Sequence, residues 1–352
     1  MNDFLQKLNL KTPIIQAPMA GASDANFVIA ACQAGALGSL GAGMMSAEQI
    51  DAQIRAIKSA DCGSFLVNLM VLPTHLTEKL ASKMPSWLVS FYDNLGVVAD
   101  VASRPAYDFD EQFAVLLNNP VPVAGFTFGI LTTEQVAALH KVGTLVVGTA
   151  NHPDEAVAWA NVGADAVIVQ GMEAGGHRGG WLYEEAEPLP LEPLLVASRQ
   201  ALADAGHALP LVAAGGIATA DSVRHYLDLG ASAVAVGTAF LTTAESVIAK
   251  SWQSRLLAAK AGETALTRLY SGKLARGLVT DYMRQFAQFD GMVRHDAVPI
   301  YPTLNAMTKS LRAYGGQTGN TELMSLWAGV NVHHCQDETG AELVARLNAH
   351  AD

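Results

Sequence analysis

Leu145-Val146-Val147-Gly148-Thr149 leads through Asp154-Glu155-Ala156 to Val162-Gly163-Ala164-Asp165-Ala166-Val167. The same plan returns as Leu211-Val212-Ala213-Ala214-Gly215, Ala220-Asp221-Ser222 and Leu229-Gly230-Ala231-Ser232-Ala233-Val234. Each copy is a short apolar run, a helical stretch and a Gly-Ala turn into the next apolar run. Continuous apolar runs of this length suit strands buried on both faces, which is the habit of parallel sheets. Gly163 and Gly230 fall where a helix C-terminus takes a left-handed residue. Parallel neighbours need a crossover between them, so the repeated unit is a strand followed by a covering helix.

Working outward, the same unit recurs along most of the chain. Strands are expected over 12–19, 37–40, 65–70, 121–128, 144–148, 166–170, 211–214 and 233–236. Helices are expected over 24–34 and over 46–58, the second with Ser46 as N-cap. Eight strands alternating with helices predict an α/β fold, a (β/α)8 TIM barrel. Two regions break the repeat. Residues 73–110 follow the third strand, carry Trp87, Tyr92 and Tyr107, and read as a helical insertion that can act as a lid. The expected division is therefore a barrel over 1–240, with the insertion at 73–110, and a mainly helical extension over 241–352. That extension contains Tyr301-Pro302-Thr303-Leu304-Asn305 and Trp327-Ala328-Gly329-Val330, and is expected to pack on the barrel at its substrate side.

The chain has 352 residues, of which 50% are hydrophobic and 16% charged, enough for a large core. A net charge of -11 argues against nucleic acid or an anionic membrane surface as a main partner. The three cysteines, Cys32, Cys62 and Cys335, form no CxxC pair and suggest a reducing compartment. The first residues show neither a signal peptide nor a transmembrane run, so a cytoplasmic protein is expected.

Two places concentrate chemistry. Ala214-Gly215-Gly216-Ile217 ends the seventh strand, and Val236-Gly237-Thr238-Ala239 ends the eighth. Both turns offer backbone N–H groups at a helix start, and in barrels the loops after these two strands are the usual phosphate cradle. Thr238 adds a hydroxyl. Gly38-Ser39-Leu40-Gly41-Ala42-Gly43 has its glycines in the wrong order for a dinucleotide fingerprint. The second place is Gln170-Gly171-Met172-Glu173-Ala174-Gly175-Gly176-His177-Arg178-Gly179-Gly180, after the sixth strand. Clustered glycines are costly to order and suit close approach of backbone to a ligand. His177 stands there as the candidate acid-base or hydrogen-bonding group. Glu173 is read as orienting His177 or a loop amide, and Arg178 as a surface pairing residue. His333-His334-Cys335 is too compact for a tetrahedral metal site, and no metal is expected. Asp24, Asp51 and Glu48 lie in first helical turns, where capping is their expected work.

At these residues the chain resembles the nitronate monooxygenases, formerly 2-nitropropane dioxygenases. The stretches that carry the resemblance are Gln16-Ala17-Pro18-Met19-Ala20-Gly21, the loop from Gln170 to Gly179, Ala213 to Ile217, Val236 to Phe240, and Ser271-Gly272-Lys273-Leu274-Ala275-Arg276. The Tyr301-Pro302 and Trp327-Ala328-Gly329 pieces are similar to the bacterial class I group. The resemblance implies FMN as cofactor, with Gly215, Gly216, Gly237 and Thr238 on its phosphate. It places Ala17, Met19, Asn68, Thr149, Gln170 and Gly175 near the rest of the flavin. It implies that His177 hydrogen-bonds a small anionic nitronate, propionate 3-nitronate as the family's example, or acts as general base toward a neutral nitroalkane. The expected reaction uses O2 and gives a carbonyl product and nitrite, in a monomer or homodimer.

The sequence departs from the family pattern twice. Phe126-Thr127-Phe128-Gly129-Ile130-Leu131 lacks a histidine near Thr127 and a proline near Leu131. Trp327-Ala328-Gly329-Val330-Asn331 lacks Gln-Gly after Ala-Gly. An FMN-dependent NAD(P)H enoyl-acyl carrier protein reductase shares a similar Glu-Ala-Gly-Gly-His loop and is the nearest alternative. Gln170 ahead of the loop and the long extension favour the monooxygenase. A flavin-binding barrel without turnover is the further alternative.

Overall fold

The computed structural model describes residues 6–349. Eight parallel strands form the barrel: β1 Ile14–Gln16, β2 Gly38–Gly41, β3 Phe65–Met70, β4 Val123–Thr127, β5 Leu145–Ala150, β6 Ala166–Gln170, β8 Leu211–Ala214 and β9 Ala233–Val236. They lie in the order β1-β9-β8-β6-β5-β4-β3-β2. A parallel bridge between Ile15 and Leu37 joins the two ends, with Gln16 N–H donating to Leu37 O and Leu37 N–H to Ile14 O, each at 2.9 Å. The expected (β/α)8 barrel is the observed fold.

Side chains alternate across every strand, as a two-residue period requires. Ile15, Leu66, Val147, Ile168, Val212 and Ala235 belong to a core inside the barrel, which Leu8 and Leu10 join. Their neighbours Ile14, Val67, Val146, Val167, Val169 and Val234 face outward against the helices. Gly163 and Gly230 take φ of 92° and 96°, as their helix-end positions demand. Ser46 caps the helix Ala47–Ser59 in a capping box with Gln49, and Asp24 caps Ala25–Gln33.

The two irregular regions meet each other. Between β3 and the barrel helix Phe109–Asn118, the chain forms helices Thr74–Thr77 and Ser86–Leu95. Asp108 caps Phe109–Asn118, and Phe109, Phe113 and Leu116 of that helix pack in the barrel core. Leu88, Phe91 and Tyr92 share a separate core with Tyr270, Tyr282, Phe286, Leu304 and Leu311 from the far side of β9. Tyr92 Oη donates to Met307 O at 2.8 Å, and Trp87 Nε1 donates to Ala297 O at 3.0 Å. After β9 and the short helix Thr238–Leu241, the chain also makes an antiparallel hairpin, β10 Thr264–Thr267 and β11 Ala275–Leu278. The two-residue strand β7 Gly176–His177 pairs with β11. The chain then returns: Leu343, Val344 and Leu347 of the helix Gly340–Asn348 join the barrel core, beside helices Ala25–Gln33 and Ala220–Asp228. That is the place of the eighth barrel helix.

Candidate active site

The C-terminal ends of the strands open on a cavity of about 470 Å3. This lies within the roughly 300–1,000 Å3 that ligand and cofactor sites occupy. Its floor follows from the alternation. Asn68, Thr149 and Gln170 come two residues after the inward-facing Leu66, Val147 and Ile168, so they form the next layer up. Gly216 and Gly237 stand in the same relation to Ala214 and Ala235. All five line the cavity, as do Ala17, Met19, Gly175, Gly215, Thr238 and His177. The residues singled out from sequence are thus brought to one wall.

At one end lie the glycine turns. Gly215 and Gly216 have φ of 128° and 67°, two successive left-handed residues that a side chain would strain. Asn331 Nδ2 donates to Gly216 O at 2.6 Å and holds the turn. The helix Ala220–Asp228 caps itself: Ser222 N–H donates to Thr219 Oγ1, and Ala218 and Thr219 N–H donate to Ser222 Oγ. That takes up three of the backbone donors around the helix start, and the glycine turns beside it add others. Thr238 Oγ1 accepts from Gly329 N–H at 3.0 Å, which leaves its own hydrogen for an acceptor in the cavity. A Cβ built on Gly237 would meet only Ala17 Cβ and Met19 Sδ, both at 3.6 Å, so the space in front of it is open to a ligand. Among the described residues, no aspartate or glutamate lines the cavity. Glycine turns, a hydroxyl and a wall free of carboxylates fit a phosphate-bearing cofactor.

The histidine loop is braced from several sides. Arg178 N–H donates to Leu274 O at 2.9 Å beside the β7–β11 pairing. Gln170 Nε2 donates to His177 O at 3.0 Å, while its Oε1 accepts from Gly179 N–H at 2.8 Å. Gly175 packs on backbone: a Cβ there would lie 2.6 Å from Ala328 C and Gly329 N. Glu173 serves neither His177 nor a loop amide: its Oε2 accepts at 3.0 Å from the N–H of Leu191, the first residue of the helix Leu191–Asp204. Arg178 is not a surface pairing residue. Its Nη1 is buried without a hydrogen-bond partner, and burial lowers its pKa.

His177 Nε2 lies 2.8 Å from Ser271 Oγ, which is 3.1 Å from Lys273 O. A carbonyl only accepts, so both contacts are satisfied together when Ser271 donates to Lys273 O and His177 Nε2–H donates to Ser271. Three aromatic rings enclose the imidazole: Trp327 at 5.2 Å, Tyr301 at 5.6 Å and Phe128 at 5.8 Å between centroids. Burial pushes the His177 pKa down to about 3, helped by the positive charges of Lys273 and Arg312. The imidazole is neutral at physiological pH. Phe128 has a φ of 70°, rare for a bulky residue, and its N–H donates to Gly179 O at 2.7 Å. Lys273 Nζ sits 4.9 Å above the Phe128 ring and is ion-paired with Glu184.

Both departures from the family pattern are now placed. Thr127 and Phe128 stand beside His177, where Thr127 Oγ1 donates to Gly179 O at 3.1 Å. Asn331 lines the cavity at the glycine turns. Sequence reasoning missed Arg312 altogether. It reaches the cavity from the helix Lys309–Thr318. Its distance along the chain from every other site residue gave no signal, although Asn305, two turns earlier, is its hydrogen-bond partner at 2.9 Å. Among the described residues no cluster of His, Cys, Asp or Glu could hold a metal ion. No described helix is long and apolar enough to cross a membrane.

The family model "Nitronate monooxygenase" matches residues 2–350. A probable nitronate monooxygenase from Staphylococcus haemolyticus (strain JCSC1435) is 33% identical over 98% of this chain and 96% of its own. One from Staphylococcus aureus (strain Newman) is 32% identical over 93% of this chain and 91% of its own. Among solved structures, a nitroalkane oxidase from Streptomyces ansochromogenes superposes with a TM-score of 0.85 at 32% identity, covering 98% of this chain and 97% of that one. FabK from Thermotoga maritima shares the fold, with a TM-score of 0.76 at 22% identity over 99% of this chain and 96% of that one.

Proposed function

Since the chain belongs to the nitronate monooxygenase family and is a flavin-dependent oxidoreductase, we propose that it uses FMN and O2 to oxidise small anionic nitronates to a carbonyl product and nitrite. In this reading Gly215, Gly216, Gly237 and Thr238 hold the FMN phosphate. Ala17, Met19, Asn68, Thr149, Gln170 and Gly175 line the space for the remainder of the cofactor. The bound flavin supplies the redox chemistry, and the protein supplies orientation and electrostatics. Propionate 3-nitronate is the substrate to try first, and the cytoplasm is the proposed location.

One observation carries the choice of nitronate: the His177 imidazole is set among Trp327, Tyr301 and Phe128 and against Ser271, an environment that disfavours its charged form. With a pKa held down to about 3, the imidazole is a poor base for taking a proton from a neutral nitroalkane. A nitronate has already lost that proton. It needs an ordered wall to lie against, which His177, Trp327, Tyr301 and Phe128 provide. Ser271 holds the imidazole in one orientation, and the aromatic rings border it.

The test is a visible spectrum of the purified protein, identification of the released flavin, and O2 uptake with nitronates and with the parent nitroalkanes. We expect a yellow protein that releases FMN, consumes O2 with nitronates and forms nitrite, at rates well above those with nitroalkanes. Rapid anaerobic bleaching by NADH or NADPH would replace this reading with the reductase. A yellow protein without O2 uptake would favour a flavin-binding barrel that does not turn over.

A further inference from the structure

The positive charge on the cavity wall belongs to a side chain that neither the glycine turns nor the histidine loop contains. Among the described residues that line the cavity, Arg312 is the one arginine or lysine, and there is no aspartate or glutamate to balance it. Three other buried or half-buried cations are ion-paired, although Arg276, outside the cavity lining, rests on the uncharged Met172 O and Thr264 Oγ1. Arg268 pairs with Glu185, Lys273 with Glu184 and Arg346 with Glu338. Arg312 instead hydrogen-bonds to uncharged oxygens. Nη2 donates to Asn305 O at 2.7 Å and Oδ1 at 2.9 Å, and Nε donates to Thr308 O at 3.4 Å. Among the described residues Nη1 makes no hydrogen bond and no carboxylate forms an ion pair with the guanidinium. Taking a cation out of water without a counter-charge is costly. An anion that enters the cavity would supply the missing partner.

The side chain is also held in place. Its helix, Lys309–Thr318, is braced by Tyr92, whose Oη accepts from Leu311 N–H at 3.0 Å and donates to Met307 O at 2.8 Å. A guanidinium fixed through Nε and Nη2 leaves the two N–H donors of Nη1 for an oxyanion. His177 is neutral and cannot supply this charge.

We propose that Arg312 is the anion receptor of the cavity and binds a planar oxyanion group of the substrate, either the nitronate itself or a carboxylate on its tail. This rests on the reading that the cavity takes a small anionic substrate.

The binding test needs no turnover. Inorganic nitrate, a planar monoanion, is titrated into the purified holoenzyme while tryptophan fluorescence is followed, since Trp327 borders the cavity. Wild type, Arg312→Lys and Arg312→Gln are compared, with thermal melting as the check on folding. Loss of a charge-assisted contact should weaken nitrate about 10–100-fold in Arg312→Gln. Arg312→Lys keeps the charge and should lose much less. Unchanged nitrate binding in a folded Arg312→Gln would overturn the proposal, and so would a variant whose only defect is loss of flavin. The kinetic arm compares propane 1-nitronate with propionate 3-nitronate. A rise in KM for both puts Arg312 on the nitronate group, and a rise for the second alone puts it on the carboxylate. No change for either would overturn the proposal. If wild type turns over neither compound, the nitronate reading fails, while the nitrate titration still decides the role of Arg312.

Discussion

His177 shows how far a single residue can be read and where reading stops. Its position after a strand and among glycines marked it in the sequence. Its protonation state did not, because that depends on burial beside Trp327 and Tyr301 and on the charges of Lys273 and Arg312, all of which arrive from a region more than a barrel unit away. His177→Ala should retain flavin and lose about 100-fold in kcat/KM for nitronates, the scale expected for one well-placed hydrogen-bonding group. Steady-state O2 uptake checks it. The lowered pKa also predicts a stability effect with a definite sign. An unfolded histidine titrates near 6.5, whereas His177 titrates at about 3 when folded. Between those values the unfolded chain binds the extra proton, so stability falls as pH drops from about 6.5 toward 3 and is retained above. His177→Asn should remove up to about 1.4 kcal/mol per pH unit of that slope, read from urea midpoints across this range. Gly237 tests the cofactor wall. Because a Cβ there makes only ordinary contacts with Ala17 and Met19, Gly237→Val should fold yet bind flavin more weakly, as flavin content of the purified variant will show.

Among the elements, those built from local pattern were legible and those built by distant pairing were not. β3, β6, β8 and β9 fall where the apolar runs put them. β1 is shorter than the expected 12–19, since Pro13 and Pro18 bracket Ile14–Gln16 and cannot donate to a ladder. β4 begins after Pro120 and Pro122 and ends where Phe128 turns to a left-handed φ. β10, β11 and the two-residue β7 carry no alternation, and each exists because of its partner. Gly148 belongs to the legible class for a reason the sequence hides. A Cβ there would lie 2.2 Å from the ring of Trp159, which is fully buried and donates to Thr149 O at 3.2 Å. Gly148→Ala should therefore cost about 2–3 kcal/mol by forcing that ring aside, measurable as a lower urea midpoint with unchanged slope.

Over the whole molecule, the insertion after β3 and the region after β9 form one roof over the barrel mouth. Their shared core of Leu88, Phe91, Tyr92, Tyr270, Tyr282 and Phe286 explains why neither could be understood alone from sequence. The helix Gly340–Asn348 falls within the extension expected to be mainly helical, but its partners could not be seen. Removing residues 339 onward should strip Leu343, Val344 and Leu347 from the barrel core. The shortened chain should bind a hydrophobic dye, give a broadened thermal transition and lose flavin. That helix lies beside Ala25–Gln33, so the two faces that close the barrel come from opposite ends of the described chain. On the ribosome, the first helix must wait with its apolar face uncovered until residue 348 has emerged. Closure is then a late event governed by long-range encounter, and slow growth of the chain exposes a sticky half-barrel for its full duration. Yield of native enzyme should thus depend on translation speed and on chaperone supply more than on the stability of the finished barrel.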